Sequence, residues 1–263
     1  MTRVAVVTGA SGGIGQEIAR GIAAAGYRVI LACRDQERGE AARRAVAPAG
    51  GPGAELLLLD LSSQASIQSA AAELALRHSA VDVLVNNAAV APPTRAVSAD
   101  GIELTWATNV LGYFSFTALV LPALARAPAA RIVNVASQMA YGLDLDDVEF
   151  RRRRYSASDA YAQSKQADRM LTWALARRLE GTSVTANALH PGSVDTRLLH
   201  AMAPGAQGIT PREGADTAVW LATSADVQGK NGRYWIRRRE TDCEFRAGPL
   251  DALWARCDEM TRR

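Results

Sequence analysis

A doubly wound α/β domain, with a parallel sheet of about seven strands and helices on both faces, is predicted by three features of this sequence. Short apolar runs alternate with longer stretches of helical periodicity almost from end to end, the pattern that lays helices over both faces of a parallel sheet. The first run, VAVVT, passes through a glycine-rich turn, TGASGGIG, into the helical pattern QEIARGIAAAG. Far downstream, in YAQSK, Tyr161 and Lys165 stand four residues apart, one helical turn and so on one face. The chain has 263 residues, 48% of them hydrophobic. That is enough for one ample core, and sheets of this class commonly remain undivided at such a length. No linker interrupts it, so residues 1–263 read as a single domain.

Taken in order, the expected strands lie near residues 3–8, 28–33, 55–60, 81–86, 131–136 and 183–189, with a short seventh near 233–237. The segment 47–53, APAGGPG, reads as a plain loop. In such a sheet ligands bind beyond the carboxyl ends of the strands, and the candidate residues fall there or on the helices that follow.

Strand, glycine turn and helix in that order make the dinucleotide-binding unit of a Rossmann fold. Gly9 permits the tight turn. Gly13 and Gly15 let backbone and helix approach a pyrophosphate, whose charge the helix N-terminus favours. Gly12 and Ile14 belong to the same turn, and Ser11 offers a further phosphate donor. The spacing of Gly9, Gly12 and Gly15 also satisfies TGxxGxxG, so the residues of the turn leave two spacings open. A bare strand-to-helix turn is the plainer alternative, and the flanking elements weigh against it.

The end of the second strand, YRVILACR, bears on cofactor choice. An acidic residue there would bond the ribose 2′-hydroxyl and repel a 2′-phosphate. Here Cys33 is followed by Arg34, whose guanidinium suits a phosphate, so NADP(H) is expected over NAD(H). Arg38 lies one turn further on. Solvated surface charge is the alternative, a better one for Arg38 than for Arg34.

Tyr161 and Lys165 suggest acid–base chemistry. A free phenol has a pKa of about 10, and an ammonium one turn away favours its phenolate, bringing it toward a useful range. Alone, Y-x-x-x-K also decorates ordinary helix surfaces.

Together these motifs resemble the short-chain dehydrogenase/reductase family over nearly the whole chain. LLLLDLSS is similar to its adenine-contacting segment, with Asp60 and Leu61, and VDVLVNNAAV to its NNAG-like motif, with Asn87, Ala88 and Ala89. Asn109 in WATNVLGYF, Ser137 in RIVNVASQMA, and Pro191, Gly192, Val194 and Thr196 in HPGSVDT match further family positions. ACRDQERGE, the helix from Tyr161 and the pattern NGRYW followed by LWARCDEM look most like the retinol dehydrogenase and protochlorophyllide reductase-like group.

The resemblance implies an NADP(H)-dependent oxidoreductase acting on a carbonyl or alcohol of a small lipophilic molecule. Ser137 and Tyr161 would bond the carbonyl oxygen, Tyr161 would move the proton, Lys165 would hold the nicotinamide ribose, and Asn109 would link Lys165 to solvent through a water. Pro191, Gly192, Val194 and Thr196 would face the nicotinamide. Carbon–carbon double-bond reduction and a non-catalytic, cofactor-binding regulatory protein are the alternatives; the intact set of four argues against the second. The resemblance also implies a homodimer or homotetramer joined by the helices of Asn109 and Tyr161, with capping by the tail at 238–263 the competing outcome.

Two segments bear on specificity. Between Ser137 and Tyr161 lies a long insertion containing Arg151, Arg152, Arg153 and Arg154, for which local pairing with Asp144, Asp146, Asp147 and Glu149 is favoured over an anionic substrate or carrier. After HPGSVDT, residues 197–212 read as a mobile lid in which Leu198, Leu199 and Met202 line a substrate cavity or, alternatively, cover core. His190 is expected to be structural, and Trp220, Trp235 and Trp254 to be core or interface.

Other classes are disfavoured. A net charge of +3 with scattered basic residues calls for no nucleic acid. Cys33, Cys243 and Cys257 are odd in number and lack metal-ligand spacing, as do His78 and His200, so neither disulfides nor a metal is expected. The sequence opens on its first strand, shows no signal-peptide pattern, and has no run near the roughly 18 to 20 apolar residues of a bilayer span. A cytoplasmic enzyme without a membrane anchor is the expectation.

Overall fold

A computed structural model describes residues 2–47 and 52–262; most of the loop expected at 47–53 lies outside them. Seven strands fall close to the expected positions: β1 (Val4–Thr8), β2 (Arg28–Cys33), β3 (Ala54–Leu58), β4 (Val83–Asn86), β5 (Ala130–Val135), β6 (Val184–His190) and β7 (Arg233–Ile236). An eighth, β8 (Arg239–Thr241), completes a sheet of order β3-β2-β1-β4-β5-β6-β7-β8. β1 pairs in parallel with both β2 and β4, Val6 opposite Ile30 on one side and Leu84 on the other. The order therefore reverses at β1, and the crevice beyond its carboxyl end is where such a sheet admits a ligand.

The strands read as continuous apolar runs because both faces are covered. Val6, Ile30 and Leu84 point into one core, whose helices α3 (Gln64–Arg77) and α5 (Gly112–Leu124) contribute Ile67 and Phe116. Val7, Leu31 and Val85 point the other way, against Ile18 and Ile22 of α1 (Gly13–Ala24), Ala42 of α2 (Gln36–Val46) and Leu221 of a helix at Pro211–Thr223. A third cluster joins Trp106, Met170 and Trp173 to Leu253 and Cys257 of the C-terminal helix, Leu250–Thr261. In chain order the remaining helices are α4 (Leu104–Trp106), α6 (Ala157–Arg178) and α7 (Arg197–Met202), so the two just named are α8 and α9.

Two expectations need correction. The sheet has eight strands and is only mostly parallel, because β8 turns back antiparallel to β7 within what reads as the tail. Arg237 and Arg238 make that turn at φ 48° and 60°, a left-handed pair that hairpins normally fill with Asn or Gly; the sequence offers no such signal. The second correction concerns Leu104–Leu124, a helical stretch of 21 residues with mean hydropathy 1.4, long and apolar enough to cross a bilayer. Its window is 72% buried inside the protein, as befits a helix that fills a core.

That stretch is not uniform. Glu103, fully buried, caps it by accepting from the backbone N–H groups of Thr105 and Trp106 at 2.9 and 2.7 Å. Burial pushes the Glu103 carboxyl above its ordinary value, although these two bonds work against the shift. Next, Ala107–Leu111 widens into a π-helical turn before α5 begins, a bulge that recurs at functional positions. Asn109 stands on that turn.

Replacing Glu103 by alanine should cost about 1 to 2 kcal/mol, the usual worth of a cap, read as a lower urea midpoint. Glu103→Gln, which keeps an acceptor oxygen, should recover most of it.

Candidate active site

A groove of about 670 Å³ opens at the carboxyl ends of β1, β2 and β4. Gly9, Ser11, Gly12, Gly13, Ile14 and Gly15 form one wall, and Asp60, Leu61, Asn87, Ala88 and Ala89 lie across from them. Arg34 lines its far end together with Arg38, so Arg38 belongs to the groove and not merely to the outer surface. Thr196, Arg197 and Leu198 close it from above.

Backbone proximity, more than side chains, shapes this groove. Gly9 has φ 67°, and a Cβ there would come within 2.8 Å of the Ala88 backbone; at Gly15 it would lie 2.4 Å from the Gly9 carbonyl oxygen and 2.5 Å from Asn87 Nδ2. No side chain fits either place. Thr8 and Asn87 lock β1 to β4: the Asn87 N–H donates to Thr8 Oγ1 and Asn87 Nδ2 to the Thr8 carbonyl, each at 2.9 Å. Asp60 is held by Ser62, whose N–H and hydroxyl donate to Oδ1 at 2.9 and 2.7 Å. Asp35, the nearest carboxylate after β2, caps α2 by accepting from the Arg38 N–H at 2.8 Å.

Beyond the groove, α6 carries Tyr161 and Lys165 behind β5. Lys165 is 1% exposed, and its Nζ donates to the Val135 carbonyl at 2.9 Å and to Asp168 Oδ2 at 2.8 Å. The ammonium sits 5.8 Å from the centre of the Tyr161 ring and 5.2 Å from that of Tyr113, within range of the ring quadrupole. The Asp168 carboxylate drives the Lys165 pKa upward against the desolvation that opposes it, so this lysine remains charged. Asn109 is spent on the scaffold: Oδ1 accepts from the Val90 N–H at 2.9 Å, and Nδ2 donates to the Val90 carbonyl and to Ser164 Oγ, both at 3.0 Å. Ser164 Oγ in turn donates to the Tyr161 carbonyl at 2.7 Å.

Ser137, buried just past β5, joins this group through backbone contacts. Its Oγ accepts from the Met139 N–H at 3.1 Å, and its carbonyl accepts from Arg169. Arg169 is 7% exposed, donates also to the Tyr234 hydroxyl at 2.6 Å, and stacks over that ring at 4.0 Å. His190 fixes the next residue, accepting from the Gln138 N–H at its Nδ1, 3.2 Å away. Burial, assisted by Arg169 and Arg237, pushes the His190 imidazole down to about 4, so it serves as a neutral acceptor, the structural role expected of it. Asp168 and Arg169, three and four residues after Lys165 on the same helix, escaped the sequence reading.

The comparisons agree with this geometry. A short chain dehydrogenase family pattern matches residues 3–206. The chain belongs to the short-chain dehydrogenase family. It is 38% identical over 258 residues to mouse (Mus musculus) retinol dehydrogenase 14, covering 89% of this chain and 77% of that protein. Among solved structures, an uncharacterized protein from Mycobacterium Paratuberculosis superposes with a TM-score of 0.83 at 32% identity, covering 99% of this chain and 93% of that one. A structure described as a short chain dehydrogenase from Escherichia coli CFT073 complexed with NADPH has a TM-score of 0.74 at 25% identity, with coverages of 89% and 95%.

Two segments of this short-chain dehydrogenase differ in how they are held. In the insertion, the buried carboxylate of Asp147 collects the backbone N–H groups of Arg151, Arg152 and Arg153. Arg153 also pairs with Asp144 and Asp147, and Arg151 with Glu149. Local pairing thus accounts for Arg151 and Arg153; Arg152 reaches the Asp146 carbonyl at 2.9 Å. The segment after HPGSVDT is looser. No residue of α7 is fully buried, its N-terminus being capped by Thr196, and Leu198, Leu199 and Met202 are half-buried. Val194, within HPGSVDT, is by contrast buried at 4% exposure against Gly214, which leaves its backbone rather than its side chain to meet a ligand. Gly192, at φ 96°, packs against Ile209 beside it.

Burial works to raise the Asp147 carboxyl, but the three N–H bonds outweigh it and hold it below the usual carboxylate range. The order it confers is therefore complete above the unfolded value of about 3.9 and is lost as pH falls through the lower folded value. In Asp147→Asn, amide exchange at Arg151–Arg153 should accelerate by about tenfold, the worth of one hydrogen bond, at neutral pH and little below pH 3 to 4.

Proposed function

We propose that this protein is an NADP(H)-dependent oxidoreductase of the cytoplasm that interconverts a carbonyl and an alcohol on a small, lipophilic substrate. The observation that carries the cofactor choice is the far end of the groove. Arg34 and Arg38 line it, while Asp35, which directly follows Arg34, is engaged as a helix cap. Two guanidiniums suit a 2′-phosphate. The glycine turn fits the rest of the group: before Gly12 only Arg38 Nη2 lies within 4 Å, at 3.8 Å, an open cradle that any side chain would fill.

When bound there, the nicotinamide supplies hydride chemistry to and from carbon. The protein supplies position and protons. Ser137 and Tyr161 hydroxyls take the substrate oxygen between them, and Tyr161 gives up its proton to that oxygen or receives one from it. Lys165 has three N–H groups; two are committed to Val135 and Asp168, and the Tyr113 hydroxyl shares the ammonium with them. Asn109, its amide anchored to Val90 and Ser164, fixes the Tyr161 turn. A relative named for retinol and the half-buried apolar residues of α7 support a lipophilic substrate, and a homodimer joined through α5 and α6 is the assembly that we favour.

Fluorescence titration with NADPH and NADH tests the cofactor assignment: Arg34→Glu should weaken NADPH binding by about 10- to 100-fold, the worth of a charge-assisted hydrogen bond, and leave NADH binding little changed. Equal loss for both cofactors would remove Arg34 from the 2′-phosphate. A panel of aldehydes, ketones and enones, followed by NADPH absorbance, tests the chemistry. Tyr161→Phe should lower turnover by at least about 100-fold with NADPH affinity preserved, and retention of activity would displace Tyr161 from its role.

A further inference from the structure

Lys165 and Asp168 form a buried ion pair, each side chain 1% exposed. Burial raises the Asp168 carboxyl to about 6, with Lys165 working against the shift, so the carboxyl is ionised at neutral pH. The pair then carries no net charge, and the carboxylate offsets much of the field that the ammonium would send into the site. The next residue on α6 is Arg169, 7% exposed and charged at any working pH. Its Nη2 donates to the Ser137 carbonyl and, at 2.6 Å, to the Tyr234 hydroxyl, while Nη1 donates to Cys243 Sγ at 3.6 Å. No carboxylate is among these partners, and Nε has no hydrogen-bond partner.

The guanidinium is clasped rather than neutralised. Its carbon lies 4.0 Å from the centre of the Tyr234 ring and 5.6 Å from that of Phe245, so ring quadrupoles replace part of the lost hydration. Tyr234 comes from β7, and Cys243 and Phe245, both half-buried, from the segment between β8 and α9. The titratable groups facing the guanidinium are Tyr234, Cys243 and, on β6, His190, whose imidazole burial and this charge keep neutral. Burial pushes the Tyr234 phenol far up; Arg169 opposes the shift, while Cys243 and Tyr161 add to it. Tyr234 therefore keeps its proton and serves Arg169 as a neutral acceptor, near enough to Tyr161 for the two phenols to influence each other.

A buried cation without an acid beside it is costly, and this one rests on the carbonyl of the residue whose hydroxyl takes the substrate oxygen. We propose that Arg169 supplies the net positive charge of this active site and positions Ser137, stabilising the negative charge that develops on the substrate oxygen, with Tyr234 and the segment between β8 and α9 as its clasp. The inference rests on Ser137 and Tyr161 binding that oxygen as proposed above. When the carbonyl carbon accepts hydride, its π electron pair moves to oxygen, and the oxygen takes the Tyr161 proton. A cation fixed in place before the reaction favours the charged oxygen without any reorganisation. Arg169 touches Ser137 and not the substrate, so it is a positioning residue. Neither Arg169 nor Tyr234 lines the cofactor groove, which separates this effect from cofactor binding.

The test uses the whole chain, NADPH and the best carbonyl of the panel. Arg169→Met should lower kcat by about tenfold or more, with KM and NADPH affinity little changed. It should also shift the pH profile of kcat upward by about one unit, since negative charge forms less readily once the cation is gone. Arg169→Lys keeps the charge and loses the fork; it should retain the wild-type pH profile and recover only part of kcat. Tyr234→Phe removes one acceptor and leaves both rings, and should lower kcat by about threefold or more with that profile unchanged. If Arg169→Met fails to fold, the other two variants carry the test, and wild-type kcat in both overturns the proposal. Wild-type kcat and pH profile in folded Arg169→Met, with Tyr161→Phe inactive, overturn it alone. So does a rise in KM for the carboxylated member of a size-matched pair of ketones and not for the neutral one, with kcat intact, because the charge then serves the substrate instead. An active Tyr161→Phe would overturn the assignment of Tyr161 and this inference with it.

Discussion

An ammonium with 1% exposure is the constraint around which this half of the molecule is built. Removing such a charge from water costs several kcal/mol, and only close, well-made contacts return it. Lys165 therefore needs the Val135 carbonyl, the Asp168 carboxylate and the faces of two tyrosine rings, and every one of these must be in place together. Val135 ends the strand that delivers Ser137, Asp168 belongs to the helix that carries Tyr161, and Tyr113 lies on α5. Satisfying one buried cation thus fixes strand, helix and neighbouring helix in a single register.

The remaining contacts around Ser137 and Asn109 follow the same logic, in that side chains hold backbone rather than each other. Arg169 and His190 grip the peptide groups of Ser137 and Gln138. Asn109 grips both polar groups of Val90, and it can reach them because the π-helical turn carries it. Glu103 anchors that turn one step upstream. Positions set in this way are rigid without a covalent link.

Much of this was legible in the sequence because it depends on local pattern. Apolar runs gave seven strands to within two residues or so, and the glycines of TGASGGIG announced a groove whose shape is set by the absence of side chains. The candidate residues that line the groove are those that motif spacing can name. What escaped depends on contacts across the fold. Burial of Asp168 and Arg169 is a property of α6 lying beneath β5 and α9, and no residue pattern distinguishes them from the charged surface of an ordinary helix. Arg38 read as surface for the same reason. β8 was hidden differently: three residues, Arg-Glu-Thr, carry no apolar alternation, and two arginines occupy a turn where glycine or asparagine would have signalled one.

β8 also determines how the sheet ends. A parallel strand left at the margin would offer a row of open N–H and carbonyl groups to any passing chain. Here the last strand is three residues long, runs the other way and presents Arg239 and Glu240 outward, both exposed, and the left-handed turn before it bends the border out of line. Such a margin is a poor template for adding strands from another molecule. Growth of the sheet from one copy into the next is discouraged on that side.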